Sequence, residues 1–225
     1  MRRVLHRATN VVRRSMPGHL IGHQRTRTVI GRLADAMGLV YFGYVDQRDD
    51  DHRLVRGALV STTHDDHHYT VGSFHGYDVS LVVRRDSLEY NDHRLKEHHW
   101  TIVTVDLHTD IDVPHIYVAR HSVRDEIVTR LTHLTPLPHA GDAFSRQYTI
   151  YGSMGQFIMI QSIFMQTVRD TIAREFVGLS VEIADGTIYL YANEKHPSRM
   201  QLERMFRNGI WLAQTIDATL YSPAT

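Results

Sequence analysis

Two dipeptides constrain this chain more than any other feature. His75-Gly76 stands between β-rich runs at Tyr69 to Phe74 and Tyr77 to Val83, and Asp185-Gly186 stands between Leu179 to Ala184 and Thr187 to Asn193. A two-residue connection can only reverse the strand direction, and Asp-Gly is a strong type I′ signal. Antiparallel sheet is therefore expected in both the middle and the C-terminal part of the chain.

Further β-rich runs lie at Leu39 to Val45, Leu54 to Ser61, Trp100 to Leu107 and His115 to Arg120. Leu39 to Val45 reads as a strand by itself, and the runs from Leu54 onward, with the first hairpin, read as an antiparallel meander. Phe144 to Tyr151 reads as a strand leading into Met154 to Val177, where Phe157, Ile158, Ile160, Phe164, Met165, Val168, Ile172 and Phe176 recur at helical spacing. Met159 and Ile163 widen this stripe beyond the roughly 100° of a one-sided surface helix. One central helix covered on more than one side is expected, stopped by Gly178. A final helix starts near Pro197-Ser198 and carries Met200, Leu202, Phe206, Ile210, Trp211 and Leu212. An earlier one, from about Arg25 to Met37, turns Val29, Ile30, Leu33 and Met37 inward and ends at Gly38.

The fold class is α+β: an antiparallel meander sheet followed by a β-α-β-β-α C-terminal unit, with long apolar helices packed on the sheet. A basic amphipathic helix over 1–18 precedes an antiparallel-sheet half over 19–134 and a β-α-β-hairpin-α half over 144–217. Pro136, Pro138 and Gly141 mark a soft boundary between the halves, and one single domain fits equally well.

The chain is 225 residues long and contains no cysteine, which excludes disulfides, thiolate metal sites and cysteine nucleophiles. Its formal charge is zero and its pI near 7.3, a balance that favours self-association, and a homodimer is expected. Charge is nonetheless uneven, since eight arginines precede the first acidic residue, Asp35. Arg2, Arg3, Arg7, Arg13 and Arg14 lie largely off the apolar face made by Val4, Leu5, Ala8, Val11 and Val12. Such a helix either contacts an anionic membrane or nucleic acid through residues 1–32 or docks on the acidic body. No stretch approaches the roughly 20 apolar residues of a membrane span, and no secretory signal is legible. The expected location is cytoplasmic, with peripheral attachment to the inner membrane face as the alternative.

Histidine is the one residue type with metal-site potential: there are 17, against two lysines. Alternate loops of a meander lie at the same end of the sheet. His64, Asp66, His67 and His68 should then approach His93, His98 and His99, and at the opposite end His75 should approach His108, Asp110, Asp112 and His115. Either group offers ligands that zinc or nickel accepts. The second is preferred because short loops hold ligands more rigidly. Neither contains H-E-x-x-H or another fixed-spacing motif, so exposed or structurally bonded histidines are the competing account. No catalytic residue can be singled out, no small-molecule substrate is identifiable, and no cofactor is required. Gly152-Ser153-Met154-Gly155 lacks the P-loop lysine and reads as a helix cap.

Val55-Arg56-Gly57, the run from Val71 to Val79, Asp106-Leu107-His108-Thr109, Val113-Pro114-His115, Val181-Glu182-Ile183, Leu190-Tyr191-Ala192 and Trp211-Leu212-Ala213 resemble an uncharacterised family of conserved bacterial proteins, a domain of unknown function typical of small-genome candidate-phylum bacteria. The resemblance implies no activity, substrate or catalytic residue. Related groups often carry membrane-spanning segments before the soluble domain, where this chain has only its basic helix. The leading functional reading is a non-enzymatic binding or scaffolding module that self-associates. A divalent-metal binder or metal-dependent enzyme, and an arginine-arm contact to membrane or nucleic acid, remain as alternatives.

Overall fold

His75 and Gly76 have φ of 51° and 83°, and Asp185 and Gly186 have φ of 50° and 71°. Consecutive positive φ angles define the type I′ turn, whose twist matches that of the strands it joins. The computed structural model describes residues 18–44, 65–89, 95–121, 133–138 and 143–221. In chain order these form α1 (Gly18–Met37), β1 (Val40–Tyr44), β2 (Asp65–Phe74), β3 (Tyr77–Glu89), β4 (Leu95–Asp106), β5 (Ile116–Arg120), β6 (Thr135–Pro136), β7 (Tyr148–Gly152), a 3-10 turn (Met154–Gln156), α2 (Phe157–Ile163), α3 (Gln166–Glu175), β8 (Leu179–Ala184), β9 (Thr187–Ala192) and α4 (Arg199–Tyr221). The basic helix expected over 2–14 and the strand expected over 54–61 lie outside the described residues.

The nine strands make one antiparallel sheet in the order β1-β2-β3-β4-β9-β8-β5-β7-β6. The fold is α+β, but the meander runs only from β1 to β4. The expectation that it continues into β5 is corrected: the β8–β9 hairpin takes the edge of β4, pairing Thr101 with Ala192 and Asp106 with Thr187. Burial explains the insertion. Leu179 to Ile183 and Ile188 to Ala192 are buried at every position, and strands buried on both faces belong in the middle of a sheet.

Strand parity sorts the side chains. Leu81, Val103, Leu190, Val181 and Val118 share one face with Ile30 and Leu33 of α1, Ile160 of α2, Ile172 of α3 and Leu202, Phe206 and Leu212 of α4. All four helices contribute to this apolar core. The opposite face carries Tyr69, Val82, Trp100, Ile102, Tyr117, Tyr189 and Tyr191, and no described helix contributes to it. Buried polar groups, among them Asp66, Arg84, Asp86 and Glu182, stand on this aromatic side.

The expected central helix is broken. Phe164 (φ −97°, ψ 48°) ends α2, and Met165 (φ −58°, ψ 165°) begins α3 in extended conformation. The wide stripe is two narrow ones. At 100° per residue, Ile160, Ile163 and Phe164 centre about 130° away from Val168, Ile172 and Phe176, so only a break turns both sets toward the sheet. Arg169 Nη1 donates to the Phe164 carbonyl at 2.8 Å and satisfies an acceptor the break would otherwise orphan. The far side is not covered as expected: Ile158 is 83% exposed, Met154 58% and Met165 45%. Neither piece is long.

Other boundaries shift. α1 begins at Gly18 rather than near Arg25, and β2, β3 and β4 extend beyond the apolar runs that signalled them. Phe144 to Gln147 forms a turn rather than the start of β7, with the amide N–H groups of Gln147 and Tyr148 both donating to the Phe144 carbonyl. Ser153 makes no side-chain capping bond. Ser198 does cap α4, accepting from the Gln201 amide at 3.2 Å, and Met200 just after it points outward, 78% exposed.

Candidate functional site

α4 contacts α1 on one side and α2 on the other, and a depression runs along each flank. On the α1 side, Leu33, Met37, Phe74 and Phe206 help enclose about 600 Å³, rimmed by Arg199, Glu203 and Arg207. The flank facing Met165 encloses about 630 Å³ above Thr215, Ala218 and Thr219. Trp211 and Gln214 line both. The two depressions lie on either side of a partly exposed crest carrying Trp211 and Gln214, and together they groove the face of α4 from Arg199 to Thr219, about 30 Å at 1.5 Å per residue. Phe176 meets the Trp211 ring edge-on, with centroids 5.9 Å apart, and so orients the indole. At the rim Arg199 Nε donates to Glu203 Oε1 at 2.6 Å. Arg207 makes no ion pair or hydrogen bond among the described residues.

The first histidine group is brought together in part. The bulge in β2 between His67 and Thr70 places His68 at φ 59°, and His67, His68 and His99 line a pocket of about 290 Å³ with Thr26, Arg85, Glu97, Lys195 and His196. Each imidazole has an orienting partner. His67 Nε2 meets Asp65 at 2.9 Å, His68 Nδ1 meets the Tyr41 hydroxyl at 2.8 Å, and His99 Nε2 meets Glu97 at 2.7 Å. His196 Nδ1 meets Thr26 at 2.8 Å. Burial holds the His99 pKa below its ordinary value, aided by the positive charge of Lys195 and opposed by Glu97.

His98 and Asp66 leave this group for the aromatic face. His98 stacks near Trp100, and Asp66 accepts two bonds from Arg84, both 2.7 Å. His64 and His93 lie outside the described residues. His196 joins the pocket because β9 runs antiparallel to β4, which carries the chain after Ala192 back toward His99. No local pattern announces that.

The five residues of the second group do not converge. His75 meets the Phe74 ring edge-on at the hairpin. His108 stacks on Tyr77, with centroids 4.1 Å apart and planes 2° from parallel. Asp110 and Asp112 are exposed. The organiser here is Asp217 of α4, which accepts from the Tyr77 hydroxyl at 2.8 Å and from the backbone N–H groups of His108 and Thr109 at 3.2 Å. Burial and this carboxylate push the Tyr77 pKa up to about 12.

His115 turns to the aromatic face. Its Nε2 donates to Glu182 Oε1 at 2.7 Å, its Nδ1 lies 2.9 Å from His133 Nε2, and the Tyr191 hydroxyl donates to the other Glu182 oxygen. Among the described residues no group of three or more His, Asp or Glu is arranged to hold a metal.

Arg2, Arg3, Arg7, Arg13 and Arg14 lie outside the described residues. No helix among the described residues is long and apolar enough to cross a membrane.

The chain has a known fold. The crystal structure of the mycobacterial trehalose monomycolate transport factor A matches with a TM-score of 0.61 over 89% of this chain and 98% of that one. At 11% identity this is a likeness of fold alone. No protein-family model and no curated protein matches the chain.

Proposed function

We propose that the protein is a binding module that receives an amphipathic helix of a partner protein in the groove along α4. The observation that carries this reading is that one partly exposed stretch of α4, with Trp211 and Gln214 at its centre, lines a depression on each flank. Depressions flanking a helix of that length suit an elongated apolar face, with bulky side chains entering at i, i+3, i+4 and i+7 spacing. Trp211 in the middle is the residue type that most often anchors such contacts. Arg207 gives the occupant a sign, because a cation at an apolar rim with no partner among the described residues favours acidic residues beside the apolar stripe. The mycobacterial protein of this fold is named as a transport factor, and the reading here rests on this chain's own groove.

The test uses two 18-residue model peptides with the same leucine stripe, one carrying glutamates and the other lysines on its polar face. Tryptophan fluorescence of the full chain should report binding of the acidic peptide at micromolar concentration and at least tenfold weaker binding of the basic one. Arg207→Glu should reverse that preference, and Gln214→Lys should weaken both. Equal binding of the two peptides, or no effect of Arg207→Glu, overturns the reading. A second copy of the chain in the groove overturns it too. It would appear as a concentration-dependent dimer in sedimentation, lost in Gln214→Lys.

A further inference from the structure

The chain from Tyr191 through Glu182 and His115 to His133 runs from the buried aromatic face of the sheet to the surface. Glu182 is 1% exposed, and its two oxygens are taken by Tyr191 and His115. Strand pairing fixes it in place, since Glu182 is the register partner of both Tyr189 on β9 and Tyr117 on β5. At the outer end His133 is exposed, and the His115 side chain is 28% exposed.

Glu182 also fixes the chemistry of His115. A carboxylate accepting from Nε2–H selects the neutral tautomer whose lone pair sits on Nδ1. That nitrogen faces His133 Nε2 at 2.9 Å, with the two ring centroids 4.9 Å apart and the planes inclined by 40°. A buried carboxylate behind an imidazole whose second nitrogen looks outward is the arrangement that orients metal-binding histidines and raises their basicity.

We propose that His115 Nδ1 and His133 Nε2 form a two-imidazole site for a divalent transition metal of the zinc, nickel or copper class, with Glu182 and Tyr191 as its buried support. The cation takes the place of the hydrogen-bonding proton between the two nitrogens, and that hydrogen bond is given up on binding. Two nitrogens at 2.0–2.1 Å from a tetrahedral ion stand about 3.3 Å apart. The observed 2.9 Å must therefore open by about 0.4 Å to reach that spacing, which rotation of the exposed His133 ring provides. Water completes the coordination on the open side. The imidazole ligands select against magnesium and calcium, which prefer oxygen. Of the five residues grouped from the sequence, only His115 takes part.

The experiment is isothermal titration of the full, untagged chain with zinc chloride and, separately, nickel chloride. The wild type should show one site tighter than the background of scattered histidines. His133→Ala and His115→Ala should each weaken that site at least tenfold, and Glu182→Gln should do so between tenfold and a hundredfold. His133→Ala changes a surface residue and keeps the test sound if Glu182→Gln fails to fold. His121→Ala, a surface histidine bonded to Thr149 at 2.8 Å, should leave the titration unchanged. Identical titrations for wild type and His133→Ala overturn the proposal, as does loss of the tightest site in His99→Ala instead.

Discussion

Gly209 of α4 lies so close to Val105 of β4 that a β-carbon on it would stand 2.8 Å from Val105 Cγ2 and 3.3 Å from Leu190 Cδ1. This helix packs on the sheet through an absent side chain. Alanine at 209 would gain about 1 kcal/mol of helix propensity. It would lose roughly 1–3 kcal/mol to overpacking, because the contacts are stiff branched side chains in mid-sheet. Gly209→Ala should therefore destabilise the protein overall. Gly31 of α1 supplies the control, since nothing lies within 4 Å of its β-carbon position, and Gly31→Ala should stabilise by about 1 kcal/mol. Urea unfolding of both variants checks the pair. Two shifts of the same sign would contradict the packing account.

Arg84 and Asp66 form a forked ion pair with side chains 0% and 1% exposed. Removing one partner takes the forked bond from a buried charge, so Asp66→Leu alone should cost roughly 3–5 kcal/mol. Arg84→Met together with Asp66→Leu should recover most of that loss, since well-packed apolar residues often replace such pairs without penalty. The denaturation midpoint of the double variant, set beside those of the singles, decides it. A double variant as unstable as the sum of the singles would mean that the pair has a role apolar packing cannot replace.

Several buried tyrosines are kept neutral by the fold. Burial is the first cause in each case, and Tyr77, Tyr148 and Tyr189 are pushed up to about 12 from the usual 10.0. The unfolded chain releases these protons near pH 10 and the folded one about two units later. Unfolding therefore releases protons between those values, and stability falls as pH rises through that window while staying unaffected below it. Tyr148→Phe isolates one contribution. It loses the bond from the hydroxyl to the Phe176 carbonyl, 2.8 Å long, so it should be less stable than wild type by about 1 kcal/mol at pH 8. The gap should close by about pH 11, because phenylalanine has no proton to lose. Unfolding curves that stay parallel from about pH 8 to pH 11 would refute this.

What the sequence disclosed followed from local chemistry. His75-Gly76 and Asp185-Gly186 specify their turns through backbone angles that few residues adopt, and both hairpins form in the expected register. Strand order is not local. Nothing in Thr101 to Asp106 says that its partner is the distant stretch Thr187 to Ala192, and without that pairing His196 beside His99 cannot be foreseen, just as Glu182 beside His115 depends on the equally distant pairing of β5 with β8. The groove was hidden differently. Trp211 reads as one more inward apolar residue of α4, and only the break between α2 and α3 shows that the surface around it stays open.

That break also leaves a helix N-terminus with an unusual cap. Met165 is the N-cap of α3, its carbonyl accepting from the Val168 and Arg169 amides at 3.0 and 3.1 Å, yet its side chain makes no capping bond. Methionine is a poor residue there. Serine or aspartate would satisfy an orphan amide of the first turn and should stabilise the protein by about 1 kcal/mol. It would also remove a partly exposed apolar side chain. What methionine supplies instead is a wall of the groove beside Trp211. Met165→Ser should accordingly raise the melting temperature and weaken the acidic helical peptide severalfold, the trade expected where a site is kept at a cost in stability. Thermal unfolding and the fluorescence titration on the same variant check both halves. If Met165→Ser gains stability with peptide affinity unchanged, this end of the groove is not part of the binding surface.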